Sequence, residues 1–142
     1  MCVVLSGIAV AWTLPRPTWR ADVMILVVDD DPALSRMVAL TLRNDGFDVV
    51  AAPNGAVALE TLRTREADVI VLDLEMPVMD GREFLRELRR KGRRTPVLVV
   101  SAYEARQGQR ELGADDYLNK PFNPDDLVER VRALASAEGE SA

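Results

Sequence analysis

Two short apolar runs in this chain end on carboxylates. Val23-Met24-Ile25-Leu26-Val27-Val28 leads into Asp29-Asp30-Asp31, and Val69-Ile70-Val71-Leu72 leads into Asp73. Runs of this length, rich in β-branched residues, read as buried strands rather than helices. A continuous apolar run suits a strand covered on both faces, as in a parallel sheet. In an open sheet of that kind, ligands bind outside the carboxyl ends of the strands, near the point where strand order reverses. Carboxylates gathered there repel one another unless a cation sits among them. Hard oxygen ligands suit Mg²⁺, which takes one or two carboxylates and keeps several waters. The first expectation is therefore a Mg²⁺ site in a crevice, with at least one Asp free for chemistry.

The rest of the pattern supports one domain. After Met24, strands and helices alternate with no internal repeat. The spacing predicts strands at Met24–Val28, Phe47–Ala51, Asp68–Leu72, Pro96–Val100 and Asp116–Leu118. Helices are expected from Pro32 to Asn44, from Asn54-Gly55 onward, from Gly81 to about Lys91, from Glu104 to Leu112, and from Asn123-Pro124 to about Ala135. Asp31 is placed as an N-cap and Pro32 suits a first helical position. Leu34, Met37, Val38, Thr41 and Leu42 are expected to form the inner stripe of the first helix. Val57, Ala58, Leu59 and Leu62 are expected to form that of the second. Five strands alternating with five helices imply right-handed crossovers and a sheet covered on both faces. With 142 residues, the chain has room for one core and none for a second domain.

Composition excludes several chemistries. The chain has no histidine, so it can hold no Ser-His-Asp triad, no His-ligated metal and no phosphohistidine of its own. Cys2 is the only cysteine, which rules out an intrachain disulfide and a Cys-based zinc site. The formal net charge is −5 and no basic stripe stands out, which argues against direct nucleic-acid binding. The apolar stretch Met1–Leu14 is shorter than the about 20 residues a spanning helix needs. Its arginines, Arg16 and Arg20, follow it instead of preceding it as in a signal peptide. Residues 1–22 are expected to be an extension outside the domain, residues 23–136 the domain, and residues 137–142 a frayed tail. No membrane association is expected, and the cytoplasm is the expected location.

The strand exits also carry other polar groups. The fourth ends at Ser101, and the chain after the fifth gives Lys120-Pro121. Asp29, Asp30, Asp73, a hydroxyl and an amine thus converge on one crevice. This set resembles a receiver domain of the response-regulator family, similar to single-domain chemotaxis regulators. The matching residues are 25–32, ILVVDDDP; 69–81, VIVLDLEMPVMDG; Ser101-Ala102; and 113–122, GADDYLNKPF. The resemblance covers residues 24–136.

The resemblance implies a flavodoxin-like fold, a doubly wound five-stranded parallel sheet of order 2-1-3-4-5 with five helices. It implies that Asp73 accepts a phosphoryl group from a partner's phosphohistidine, on a sensor histidine kinase or a histidine phosphotransfer protein. Asp30 would bind Mg²⁺ directly and Asp29 through water, with Asp73 and the backbone carbonyl of Glu75 completing the protein ligands. Lys120 would neutralise charge on the phosphoryl oxygens, and Ser101 would donate a hydrogen bond to the new group. Lys120-Pro121 resembles a cis peptide of the family. Tyr117 would turn inward as Ser101 moves. Such a protein is no ordinary enzyme; it catalyses its own phosphorylation and dephosphorylation. Output is expected through an unidentified partner, since no effector follows the last helix.

Two alternatives have been weighed. A haloacid-dehalogenase-type phosphatase needs a second Asp two residues after the nucleophile, where this chain has Glu75, and a cap domain. A phosphorylation-independent interaction module would have little use for the full acid set. One departure from the family pattern is visible. Lys120 follows Ser101 by 19 residues, about one helical turn fewer than a receiver would have. Gly108 falls in the middle of that short helix, where a glycine costs about 1 kcal/mol relative to alanine.

Overall fold

The computed structural model describes residues 23–76 and 78–141, with side chains as far as residue 136. Its strands are β1 (Met24–Val28), β2 (Asp48–Ala52), β3 (Val69–Asp73), β4 (Val97–Ser101) and β5 (Asp116–Asn119). Its helices are α1 (Pro32–Asn44), α2 (Gly55–Leu62), α3 (Gly81–Arg90), α4 (Ala105–Leu112) and α5 (Pro124–Ser141). The five strands form one sheet in the order β2-β1-β3-β4-β5, and every pairing is parallel. Order reverses between β1 and β3, so the exits of those two strands flank the switch point. Asp29 and Asp73 stand there.

Each face of the sheet has its own core. On one face Val38 and Leu42 of α1 and Leu127 and Val131 of α5 meet Ile25, Val27, Val69, Val71, Leu98 and Val100. On the other, Ala58 and Leu62 of α2, Phe84, Leu85 and Leu88 of α3 and Ala105 of α4 meet Leu26, Val28, Ile70, Leu72, Val97 and Val99. Burial on both faces explains why β1, β3 and β4 are buried at all five positions.

Several expected boundaries shift. β2 begins at Asp48 instead of Phe47, whose N–H bonds to the Leu42 carbonyl and closes the end of α1. β3 and β4 each run one residue further than expected, so Asp73 and Ser101 belong to the ladder itself. The buried stripe of α1 is Ser35, Val38, Ala39 and Leu42; Leu34, Met37 and Thr41 sit at its margin. Leu42 and Val38 lie deepest and the small Ala39 and Ser35 join them, whereas periodicity weighted by hydrophobicity selects the larger neighbours. In α2, Val57 is exposed. Glu104 precedes α4 in the left-handed region, at φ 52°, and makes no side-chain cap. α5 passes the expected end near Ala135 and continues through Ser141. The segment expected as a frayed tail is thus helical to residue 141, where Ala137, Glu138 and Glu140 are good helix formers. The extension expected over residues 1–22 and the turn residue Pro77 lie outside the described residues.

Candidate functional site

Asp73 enters the site as the last residue of a central strand, with a relative exposure of 4%. Its backbone is pinned from behind. The Gly81 N–H donates to the Leu74 carbonyl at 3.0 Å. A Cβ at Gly81 would lie 2.3 Å from the Asp73 carbonyl oxygen and 2.7 Å from the Leu74 Cα. Only glycine lets the start of α3 approach the acid this closely. Asp80 caps that helix, its Oδ1 accepting the Glu83 N–H at 2.9 Å.

Asp29 leaves β1 buried, and its Oδ1 accepts the Asp31 N–H at 2.9 Å. Asp31 in turn caps α1, its Oδ1 accepting the Ala33 and Leu34 N–H groups. Three consecutive acids thus divide their work. Asp29 faces inward, Asp30 is exposed, and Asp31 holds the helix. One carboxylate oxygen from each of Asp29, Asp30 and Asp73 lies within 4.8 Å of the others.

Lys120 reaches this cluster from the end of β5. Its Nζ donates to Asp29 Oδ2 at 3.1 Å and lies 3.4 Å from Asp73 Oδ2. Its own N–H donates to the Ser101 carbonyl at 2.9 Å, and the Lys120-Pro121 bond is cis. One ammonium thus faces two buried carboxylates. Burial and then the neighbouring Asp29 charge push the Asp73 carboxyl up to about 6, against the Lys120 ammonium and the Glu75 N–H. Burial pulls the Lys120 ammonium down, but the carboxylates of Asp29 and Asp73 outweigh it and hold its pKa above the ordinary lysine value. The donor set is hard oxygen carrying more negative charge than one lysine offsets, which suits a small divalent cation.

Ser101 ends β4 fully buried. Its Oγ lies 2.8 Å from Glu75 Oε1 and 2.9 Å from the Tyr103 carbonyl, and it accepts the Tyr103 N–H at 3.2 Å. The Glu75 N–H donates to Asp73 Oδ1 at 3.3 Å. Tyr117 pairs with Val99 across the sheet, two residues before Asn119, the partner of Ser101. It is half-buried against the core beneath α3 and α4. The structure thus brings together Asp29, Asp30, Asp73 and Lys120, with Ser101 linked to them through Glu75.

Three contributions escaped the sequence. Gly81 reads as a turn residue, and only the fold reveals what its Cβ would strike. Gly108 reads as a weak point in α4, yet it is buried, and a Cβ there would meet Leu74 Cδ1 at 2.4 Å. The glycine lets α4 sit close over the residue that follows Asp73. The side chain of Glu75 reads in the sequence only as the position where a phosphatase of the haloacid-dehalogenase type would need Asp, and its bond to Ser101 appears only in the fold.

A buried acid pair at the switch point of a 2-1-3-4-5 sheet, answered by one lysine on a cis Lys-Pro bond, defines a class of phosphoryl-handling signalling domain. Residues 25–132 match the family model of the response regulator receiver domain. The chain belongs to that family. The probable transcriptional regulatory protein TcrX of Mycobacterium tuberculosis is 40% identical over 126 residues, covering 84% of this chain and 54% of the relative. The chain spans about half the length of the curated relatives it matches. Among solved structures, the Francisella response regulator 1452 receiver domain is 36% identical at a TM-score of 0.77, covering 82% of this chain and 98% of the other. The response regulator protein TrrA from Thermotoga maritima, solved in complex with Mg(2+)-BeF, is 34% identical at a TM-score of 0.72 and covers 79% and 98%. No helix among the described residues is long and apolar enough to cross a membrane.

Proposed function

We propose that Asp73 is the phosphoryl acceptor of this receiver domain. The donor is a phosphohistidine on a sensor histidine kinase or a histidine phosphotransfer protein. The supporting observation is the Asp73 carboxylate itself, buried at a strand exit, 3.4 Å from the Lys120 ammonium and beside two further acids. With a pKa of about 6 it is mostly ionised at neutral pH and available as a nucleophile. A carboxylate oxygen bonds to phosphorus as the P–N bond to the donor imidazole breaks, leaving an acyl phosphate on Asp73. Phosphoryl transfer needs mainly positioning and neutralisation of charge on the equatorial oxygens.

Asp30, Asp73 and the Glu75 carbonyl would hold Mg²⁺ directly, and Asp29 would hold it through water. The ion supplies charge neutralisation at the phosphoryl oxygens. Lys120 adds an ammonium, 3.4 Å from Asp73 Oδ2. Ser101 donates a hydrogen bond to a phosphoryl oxygen, and Tyr117 follows it inward. The altered face around α4, β5 and α5 is the output, read by a partner or by another part of a longer protein.

The test is incubation with acetyl phosphate, followed by intact-mass measurement. One phosphoryl group should appear with Mg²⁺ and none in chelator, and Asp73→Asn should take up none. A full mass shift in Asp73→Asn, with the wild type's label mapped by peptide mass to the same other residue, would overturn the assignment.

A further inference from the structure

We propose that Glu75 is a positioning residue that withholds the Ser101 hydroxyl from the phosphoryl site until Asp73 is modified. This rests on the reading of Asp73 as acceptor and Ser101 as responder. Ser101 has one hydroxyl proton and two acceptors in range, Glu75 Oε1 at 2.8 Å and the Tyr103 carbonyl at 2.9 Å. It can serve one at a time. A bond to an ionised acceptor is the stronger, so the carboxylate holds the proton. Glu75 is otherwise exposed, and no salt bridge among the described residues engages it. An unpaired surface carboxylate thus turns inward to a fully buried serine.

The same residue touches the acceptor. The Glu75 N–H donates to Asp73 Oδ1, while its side chain occupies Ser101. A phosphoryl group on Asp73 adds about −1.5 to −2 charges and three strong acceptor oxygens next to that carboxylate. Like charges repel, which drives the Glu75 side chain back to solvent. The Ser101 proton then passes from one acceptor to another by rotation of the hydroxyl, and no proton leaves the serine. Glu75 therefore widens the gap between the two states. It stabilises the resting position of Ser101 and opposes the phosphorylated one, and only such differential interaction shifts a two-state equilibrium.

Three variants separate its reach from its charge. Glu75→Asp keeps the charge on a shorter arm, Glu75→Gln keeps the reach without the charge, and Glu75→Ala keeps neither. Hydrogen exchange across residues 101–112, with and without Mg²⁺ and beryllofluoride, is the readout. In the wild type, beryllofluoride should change exchange in this segment. Glu75→Ala and Glu75→Asp should show much of that change with no beryllofluoride added. Glu75→Gln, whose neutral amide oxygen holds no advantage over the Tyr103 carbonyl, should show part of that change at rest and bind beryllofluoride about five- to tenfold more tightly, since one nearby like charge is gone. In a Ser101→Ala background, Glu75→Ala should leave resting exchange unchanged, because the contact it removes is already absent. If beryllofluoride acts on the wild type but Glu75→Ala rests like the wild type, the proposal for Glu75 fails and that for Asp73 stands. If beryllofluoride and acetyl phosphate both leave the wild type unchanged, the reading of Asp73 fails first.

Discussion

Carboxylates stand at both ends of this sheet and do opposite things. At the strand entries, Asp68 Oδ2 accepts the Met24 N–H at 2.8 Å and Asp115 Oδ2 accepts the Val97 N–H at 2.8 Å. Each satisfies the first amide of a buried strand. Asp115 also faces Arg89 at 3.7 Å, and Arg89 donates to the carbonyls of Arg93 and Thr95. At the strand exits, Asp29 and Asp73 share the single ammonium of Lys120. The entry end is rich in cations. Arg86, Arg89, Arg90, Lys91, Arg93 and Arg94 stand against Glu87 between residues 86 and 96. That run, concentrated toward the C-terminal end of α3, amends the reading that no basic cluster stands out. The entry acids are spent on stability, and the exit acids are held in mutual repulsion, where a cation and a phosphoryl group can use them.

Substitutions at the two ends should therefore differ in kind. The largest effect is expected at the exit end, in the backbone behind the acid. Gly81→Ala forces a Cβ against main-chain atoms that cannot yield, and should cost about 3 kcal/mol of unfolding free energy by denaturant titration. Gly92→Ala at the other end meets nothing within 4 Å. It keeps a positive φ of 82° and should cost only about 1 kcal/mol.

Next is Asp115→Ala, which strands the buried Val97 amide and removes the partner of Arg89. A loss of about 2 kcal/mol is expected with phosphorylation by acetyl phosphate unchanged. Impaired phosphorylation in that variant would show that the two ends are not separable.

Asp73→Asn should move the other way. The folded pKa of about 6 lies above the ordinary aspartate value of 3.8, so between these values the folded state binds more protons than the unfolded one. The metal-free wild type should lose stability as pH rises through that window and level off above it. Asp73→Asn should lack this slope and, above pH 6, exceed the wild type by about 1–2 kcal/mol after allowance for solvent screening. Mg²⁺ should close most of that gap. Matching pH profiles in chelator would remove repulsion from the account of the exit end.

The smallest effect is expected for Glu60→Gln, which breaks the Glu60–Arg63 pair between side chains that are both 70% exposed. Less than about 0.5 kcal/mol should be lost, and a larger change would mean that exposed charge at the entry end matters as much as buried charge at the exit.

How much of this was legible depended on the kind of information. Strand runs ending in acids, the cap at Asp31 and the Lys120-Pro121 step are local patterns, and the architecture and acid cluster follow from them. Asp68 and Asp115 were not legible, because each bonds to an amide 44 or 18 residues away. Gly81 and Gly108 were visible as glycines, but not what occupies the space beside them. In α1, Val38 and Leu42 were legible as inner residues, but Ser35 and Ala39 were not, because hydrophobicity ranks such small side chains below Leu34 and Met37 at the margin.

The contact between Gly108 and Leu74 has a consequence for inheritance. A helix of eight residues that includes a glycine is poorly insured by its own propensity, and its height above the sheet is written at position 108. Any other residue there brings a Cβ to 2.4 Å from Leu74 Cδ1, and that side chain must shift to admit it. A lineage that enlarges position 108 therefore has to move Leu74 or shrink it, one step downstream of Asp73. Either way, a change in α4 is felt in the residue beside Asp73.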